Sequence, residues 1–252
     1  MPSVQGSALP PHVPLKNQPS PSGSHRKLRP GRKSRNFPPM NALILFAHPE
    51  PQSFNGRLMR RSVEALEAAG HTVRVSDLYA QGFRAEAGPG DFTRRANPDY
   101  FDLQKEQLYA LEHGTFVPEI AAEQDKLRWA DLLVVHFPFW WYSMPAVVKG
   151  YFDRVFSVGF AYGGAHELAG KQALLCTTTG SPDSWLSDDQ PPGSVERIFH
   201  HILYGTFAFC EMKVLMPYIV YKAKRLEEEE KKRVLEEWGG ILRNLNKRVV
   251  LY

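Results

Sequence analysis

Short apolar runs alternate with amphipathic stretches along this chain from Met40 onward. The first run, Ala42–Ala47, is continuously apolar, which is typical of a strand that is buried on both faces of a sheet. His71–Ser76 instead alternates between apolar and polar positions and is rich in β-branched residues, which favours a strand nearer the edge. The predicted strands are Ala42–Ala47, His71–Ser76, Asp131–Phe137, Gln172–Thr177 and Lys213–Leu215.

Helical periodicity fills the intervals between these runs. The first amphipathic stretch places Leu58, Val63 and Leu66 on one face and is followed by Gly70, a common residue at a helix C-terminus. The predicted helices are Arg57–Ala69, Ile120–Ala130, Pro145–Phe156, Ser194–Phe209 and Leu226–Leu245. A long irregular insertion, Gly82–Pro118, contains one further predicted helix around Asp102–His113.

The alternation of strands and helices predicts the fold class. Strands joined by helices imply an α/β fold with a doubly wound five-stranded parallel sheet and three α/β/α layers, because right-handed crossover helices cover both faces of such a sheet. Open sheets of this kind bind ligands beyond the carboxyl ends of their strands, at a topological switch point. The segments that follow strands one, three and four are therefore the candidate site.

Residues 1–39 differ in composition from the rest of the chain. They are rich in Pro, Ser and Gly and carry seven basic residues and no acidic one, so they cannot bury enough apolar area to offset their ordering entropy. We expect a disordered basic tail at 1–39 and one folded domain at 40–252. An organelle-targeting peptide is the less favoured alternative, because such peptides are amphipathic and poorer in proline.

The charge balance of the folded part argues against nucleic acid as a partner. The whole chain carries a net charge of +4, and the tail contributes seven positive charges, which leaves −3 for residues 40–252. A nucleic-acid-binding domain would concentrate positive charge on its folded surface.

The apolar segments and the cysteines indicate the compartment. No apolar run approaches the roughly 18 residues that cross a bilayer, and we expect no secretory signal. Cys176 and Cys210 lie inside apolar segments without metal-ligand spacing, so we expect buried, reduced thiols. These features predict a cytoplasmic protein with no stable membrane insertion and no metal.

The segment after the first strand, His48–Gly56, is polar and leads directly into a helix. Backbone amides at a helix N-terminus suit a phosphate group, so this segment is a candidate anion site. It lacks both the GK[ST] ending of a P-loop and the GxGxxG of a dinucleotide fold. An ordinary capped loop stays open as the alternative interpretation.

Aromatic and small hydroxyl residues follow strands three and four. The run Phe137–Pro145 contains Trp140, Trp141 and Tyr142, which cannot all turn into one core. Their position favours a flat aromatic ligand, a hydrophobic dimer surface, or both. The run Thr177–Ser181 combines hydroxyl side chains with a glycine, which lets the backbone approach a ring system closely.

Five segments of the chain carry a family resemblance: AHPEPQSFN, FPFWWYSMPAVVKGYFDRVF, GFAYGG, TTTG and FCEMKVLMP. The match runs in order over roughly residues 41–245, and the MPxxxKGxxDRV pattern at 144–155 is its most specific part. Together they resemble the NAD(P)H:quinone oxidoreductase family of flavodoxin-like flavoproteins. The resemblance implies a homodimer with a flavin near the subunit interface. It also implies a two-electron, ping-pong reaction in which a hydride passes from NAD(P)H through the flavin to a quinone or nitroaromatic acceptor.

The resemblance assigns roles to individual residues of the three loops. The residues that it places along the flavin phosphate and ribityl chain are His48, Ser53, Phe54 and Asn55. Those along the isoalloxazine are Pro138, Phe139, Trp140, Trp141 and Tyr142, and those at its other polar edge are Thr178, Thr179, Gly180 and Ser181. Tyr162 matches an aromatic residue on the substrate side, and we expect Tyr162, Trp141 and Ser181 nearest the reacting atoms.

Two further features of the sequence bear on whether the chain binds FAD or FMN. The insertion Gly82–Pro118 resembles the larger, FAD-binding members of the family. Lys231, in the last predicted helix, falls near the position that approaches the adenosine diphosphate. We therefore expect FAD, with FMN as the alternative.

The chain departs from the family pattern after the TTTG segment. Many members carry a Tyr and a His there that stabilise charge on the reduced flavin, and the matching positions are Leu186 and Pro192, while Ser181 replaces a glycine. The residues that could substitute are Trp185, Asp188, His200 and His201, among which the sequence offers no choice.

Two other function classes stay open beside quinone reduction. Some compact relatives are thought to be flavoprotein regulators of a transporter, which the long insertion argues against. A flavodoxin-like electron carrier would be strongly acidic around its flavin, and a charge of −3 over 40–252 does not favour that.

Overall fold

A computed structural model describes residues 38–190 and 193–252 of the chain. Nearly all of the predicted tail at 1–39 therefore lies outside the described residues, as does Pro192.

The described residues form a five-stranded sheet in the order β2-β1-β3-β4-β5. The strands are β1 (Asn41–Phe46), β2 (Thr72–Asp77), β3 (Leu132–Pro138), β4 (Gln172–Thr178) and β5 (Lys213–Val220). All neighbouring strands are parallel, which confirms the predicted doubly wound sheet, and β2 lies at an edge as predicted.

The helices are α1 (Phe54–Ala68), α2 (Leu103–His113), α3 (Pro118–Trp129), α4 (Ala146–Val155), α5 (Val195–Ile202) and α6 (Glu228–Leu242). The regular part of α5 ends earlier than the predicted Ser194–Phe209, because Leu203–Phe207 forms a π turn and Ala208–Cys210 a 3-10 turn. Within the described residues, no helix combines the length and apolar character needed to span a membrane.

Alternate residues of the central strands pack against opposite helical layers. In β1, Leu43 and Leu45 belong to the apolar cluster that includes α4 and α5, whereas Ala42 and Ile44 belong to the cluster that includes α1 and α6. A strand covered on both faces must be apolar at every position, which accounts for the continuous run in the sequence.

Strand β5 continues to Val220, beyond the predicted end at Leu215. Pro217 cannot donate a ladder hydrogen bond, so it looks like the end of a strand in the sequence. The structure accommodates it at a register shift opposite the Leu174–Cys176 stretch of β4, where the ladder is already interrupted. Proline is tolerated at such bulges.

The insertion Gly82–Pro118 docks on α4 through two residues one helical turn apart. A Cβ atom on Gly150 would overlap the backbone oxygen of Ala85, so only glycine allows this approach. Arg154 is 1% exposed and pairs through Nε with Asp91 at 2.9 Å and through Nη1 with Glu119 at 2.7 Å. The KGxxDR part of the most specific sequence segment thus contains the docking site of the insertion.

A buried hydrogen-bonded group joins β3 to α1 and α6. His136 Nε2 lies 2.9 Å from Ser62 Oγ, and Trp238 Nε1 donates to the same oxygen at 2.8 Å. Burial lowers the pKa of His136 to about 3, because a charged imidazole would lose its hydration between the sheet and the helices. The folded protein therefore holds this histidine neutral.

This histidine should make the fold sensitive to acid. An unfolded histidine has a pKa of about 6.5, so below that pH the unfolded state binds one more proton than the folded state. The free energy of unfolding should then fall by up to about 1.4 kcal/mol per pH unit between roughly pH 6 and pH 4 from this group alone.

His136→Gln keeps an amide donor for Ser62 but cannot ionise, so its unfolding free energy should depend less steeply on pH. Urea unfolding at several pH values measures both slopes, with the exposed His200→Gln as the control. Equal slopes for the wild type and His136→Gln would contradict this account.

Candidate functional site

Three loops meet at the carboxyl edge of the sheet, as the sequence predicts. The backbone N–H of Phe139 donates to Thr178 O at 2.8 Å, which ties the loop after β3 to the end of β4. Asn55 Nδ2 donates to Thr178 Oγ1 at 2.6 Å and brings in the first turn of α1. The rings of His48 and Trp140 lie 6.4 Å apart. The residues that were predicted from separate loops therefore form one surface.

The loop after β1 prepares the N-terminus of α1. Ser53 Oγ accepts a hydrogen bond from Gly56 N at 3.2 Å and caps the helix, and the first turn of α1 contains no acidic residue. Gly56 lies so close to Pro51 O that a Cβ atom there would overlap it. The cap predicted as the alternative is present, and it leaves the positive end of the helix dipole without a carboxylate of its own.

His48 turns back on its own loop. Its Nδ1 accepts a hydrogen bond from the Glu50 backbone N–H at 2.9 Å. Burial lowers the pKa of His48 below 6.5, against the opposing effect of Glu50. Because burial outweighs Glu50, the net lowering of the His48 pKa keeps Nδ1 available as an acceptor near neutral pH.

Asn55 carries an unsatisfied polar atom at the junction of the loops. The residue is 3% exposed, and its Oδ1 has no hydrogen-bond partner within the described residues. A buried acceptor without a partner costs about 1–3 kcal/mol. A ligand hydroxyl or amide that donates to this oxygen would remove that cost.

Residues Trp140–Ser143 form a tight hairpin, here called the aromatic turn. Trp140 and Ser143 exchange two backbone hydrogen bonds of 3.1 and 2.9 Å. Trp141 and Tyr142, between them, have φ values of 51° and 55°, a region that disfavours side chains with a Cβ atom. Trp141 is 97% exposed, which confirms that these aromatics do not turn into the core together.

The loop after β4 is fixed by hydrogen bonds to the end of β5. Thr179 N donates to Val220 O at 2.8 Å, and Thr179 O accepts from Ala223 N at 3.0 Å. Thr179 Oγ1 accepts from Ser181 N at 3.1 Å. A Cβ atom on Gly180 would meet no described atom within 4 Å, so the loop leaves open space beside this glycine.

Tyr162 lies apart from the three loops, in a neighbouring groove. This groove, here called the α4 groove, has a volume of about 690 Å³ and is lined by residues that include Ser143, Phe152, Tyr162, His201 and Phe209. The Tyr162 hydroxyl accepts from Gln104 Nε2 at 3.2 Å, and its ring packs 5.3 Å from that of Phe209. Ser143 belongs to both the groove and the aromatic turn, so the two features adjoin.

Lys231 lies on α6 beside the start of α1. Its Nζ pairs with Glu228 at 2.8 Å, and Glu228 pairs with Arg57 of α1 at 2.9 Å. Two positive side chains therefore flank one carboxylate next to the α1 N-terminus. Arg57 was missed from the sequence, because only the packing of α6 on α1 brings the two helices together.

The residues at the family departure separate in the structure. Leu186 is buried in the apolar cluster that includes α4 and α5, whereas Trp185 beside it is 56% exposed. His200 stacks on Tyr204 at 5.0 Å, away from the loops. His201 instead lies 3.1 Å from Ser143 Oγ, a contact that no sequence signal indicated because the two residues are 58 positions apart.

The strain in the aromatic turn can be measured. Trp141→Gly should raise the free energy of unfolding by about 1 kcal/mol, because glycine adopts a positive φ at little cost and the exposed indole contributes little packing. Trp185→Gly, at an exposed position with ordinary backbone angles, should lower it. Urea unfolding compares the two variants, and a destabilised Trp141→Gly would show that the indole stabilises the turn.

Comparison with known proteins agrees with this architecture. A family model described as a flavodoxin-like fold matches residues 40–242. The ribosyldihydronicotinamide dehydrogenase [quinone] of Mus musculus is 39% identical over 81% of this chain and 90% of its own length. An ancillary protein of the glutathione-regulated potassium-efflux system from Pectobacterium atrosepticum is 33% identical over 79% of this chain and 93% of its own.

A solved structure extends the comparison. A Klebsiella pneumoniae protein assigned to the quinone reductases superposes with a TM-score of 0.80 at 32% identity, covering 84% of this chain and 87% of that one. The matches span the three loops and the sheet that carries them. The chain therefore belongs to the flavodoxin-like fold family that includes the quinone reductases.

Proposed function

We propose that this protein is a flavin-dependent oxidoreductase that takes hydride from a dihydronicotinamide donor and reduces a quinone or a nitroaromatic acceptor. The observation that carries the proposal is the meeting of three loops at Thr178, where a buried acceptor, a helix N-terminus and an exposed aromatic turn lie side by side. A bound flavin would supply two-electron hydride exchange at this surface.

The residues present fit a flavin. The capped α1 N-terminus, with Ser53 and Phe54, suits the phosphate. Asn55 Oδ1 needs a donor, and a ribityl hydroxyl is one. Pro138, Phe139 and the aromatic turn offer an apolar platform, and Gly180 leaves room beside the backbone of Thr178 and Thr179.

Positioning and exclusion of water would be the main contributions of the protein itself. The turn residues Trp141 and Tyr142 would cover a flat substrate, and the backbone and hydroxyl of Ser181 would face its polar edge. Such a site needs no strong acid or base, in agreement with the chemistry of the residues that line it.

A homodimer would complete the site. The α4 groove is open and largely apolar, and its lining includes the exposed ring of Phe209. We expect a second copy of the chain to cover it. Because Ser143 joins the groove to the aromatic turn, that copy would enclose Tyr162 near the substrate, which explains why Tyr162 stands apart in one chain.

The cysteines support a cytoplasmic location for this activity. Cys176 and Cys210 are free and buried, and burial raises the pKa of both thiols, which keeps them unreactive. A reducing compartment suits a protein of this kind.

A second candidate function is regulation of a transporter. The 33% identity to the ancillary protein of a potassium-efflux system favours it. A regulator would act through a partner, whereas a quinone reductase turns over alone.

Purification with analysis of bound cofactor tests the proposed function. We expect yellow protein that contains FAD by absorbance and mass, and steady quinone reduction with NADH, NADPH or N-ribosyl dihydronicotinamide as donor. Protein that takes up neither FAD nor FMN would overturn the proposal. Flavin-loaded protein without turnover, but with a transporter recovered in a pulldown, would favour the regulator.

Lys231 tests the choice of FAD over FMN. Lys231→Ala should weaken FAD binding by about 5- to 10-fold, the effect of losing one charge-assisted contact, and leave FMN binding unchanged. The neighbouring Lys232→Ala is the matched control, since the Lys232 side chain is 63% exposed and pairs with Glu229 on its own helix. Titration of flavin-free protein measures both affinities. Equal losses for the two flavins would place Lys231 away from the adenosine diphosphate.

A further inference from the structure

The aromatic turn needs support from outside itself. Its two central residues occupy the left-handed region of backbone conformation, which is unfavourable for residues with a side chain. The backbone pair Trp140–Ser143 holds the turn from within, and Tyr142 makes an edge-on contact with the preceding Phe139, with ring centroids 5.9 Å apart. Strained, exposed hairpins persist where surrounding structure fixes them.

Helix α5 supplies that support at two points. Phe199 packs beneath Phe139 with ring centroids 4.6 Å apart. Two residues later, His201 Nε2 forms a 3.1 Å hydrogen bond with Ser143 Oγ at the end of the turn. The serine hydroxyl can donate or accept, so either neutral tautomer of the histidine can keep this bond.

The backbone after α5 keeps His201 facing the turn. The π turn Leu203–Phe207 begins directly after α5, and Thr206 Oγ1 donates to His201 O at 3.2 Å. A π turn changes the angular spacing of side chains along a helix, and such turns occur often at functional sites. His200, the preceding residue, instead stacks on Tyr204 and lies near Tyr252, so the two histidines have separate surroundings.

Helix α5 also connects two loops of the site. It begins two residues after Gly193, at the end of the segment that follows β4, and it contacts the turn that follows β3. Helix α5 therefore follows the Thr178–Ser181 loop along the chain and contacts the aromatic turn in space.

We propose that His201 is a positioning residue, which holds the aromatic turn in its strained conformation through Ser143 so that Trp141 and Tyr142 face the flavin site. The structural part of this inference stands by itself, whereas its expected effect on the reaction rests on the proposed function. His201 acts through the turn, and its effect on hydride transfer is indirect.

Three variants test the contact. His201→Leu and Ser143→Ala each remove the hydrogen bond, and His201→Gln restores a side chain that can reach Ser143. His200→Leu is the matched control on the same helix. All three sites are on the surface or line the α4 groove, so the variants should fold, and thermal melting checks this.

The rate of amide hydrogen exchange in residues 138–146 measures how stably the aromatic turn is formed, and it can be followed with or without flavin. His201→Leu and Ser143→Ala should each speed exchange of the Trp140 and Ser143 amides by about 2- to 10-fold, the range that one net hydrogen bond sets. The double variant should add nothing further, because both changes break the same bond. His201→Gln and His200→Leu should exchange like the wild type.

The rate of flavin reduction, measured by stopped flow, tests the effect of the turn on the reaction. His201→Leu should slow reduction by a similar factor with unchanged flavin content, and His201→Gln should recover most of the rate. Unchanged amide exchange in His201→Leu, or an equal change in His200→Leu, would overturn the inference. If exchange changes as expected in a protein that binds no flavin, the contact stands and the proposed function fails.

Discussion

Thr178 joins the parts of the candidate site, and it can do so because it ends a strand of a parallel sheet. Its backbone oxygen accepts from Phe139, and its hydroxyl accepts from Asn55. All strands of a parallel sheet end at the same edge, so loops that are far apart in sequence are brought within hydrogen-bond distance there. The site thus depends on the register of β3 and β4, which pair from Leu132 with Gln172 to Pro138 with Thr178.

Helix α4 has a comparable role for the outer part of the molecule. Gly150 and Arg154 hold the insertion, and the insertion in turn carries α2. From α2, Gln107 exchanges hydrogen bonds with the backbone of Asp153 and Val158, and Gln104 reaches the Tyr162 hydroxyl. The insertion therefore fixes the segment that follows α4, including one wall of the α4 groove.

Buried polar atoms in this fold differ in how they are satisfied. Away from the site, Ser62 Oγ contacts the rings of both His136 and Trp238, whereas His136 Nδ1 has no hydrogen-bond partner within the described residues. At the site, Asn55 Oδ1 stays unsatisfied and Trp141 stays in a strained, exposed conformation. Natural proteins keep such costs mainly where a ligand offsets them, which is consistent with the function proposed for this edge of the sheet.

The sequence by itself determined the sheet and the three loops. Continuous apolar runs such as that of β1 report burial on both faces, and glycine, proline and polar residues between them report where each loop begins. Two predicted bounds were wrong: β5 continues past Leu215 to Val220, and the regular part of α5 ends at Ile202 and not at Phe209. A bulge and a π turn arise from pairing and packing with neighbours, which local periodicity does not contain.

Only the tertiary structure decided which side chains meet. The contact of His201 with Ser143, the pairing of Arg57 with Glu228 and the docking of Ala85 on Gly150 all join residues that are distant in the chain. The structure also placed Tyr162 in the α4 groove, which adjoins the aromatic turn at Ser143, a neighbourhood that local sequence patterns do not determine. Periodicity determines which face of an element is buried, whereas the partner of each side chain depends on how the elements pack, and that is a property of the whole fold.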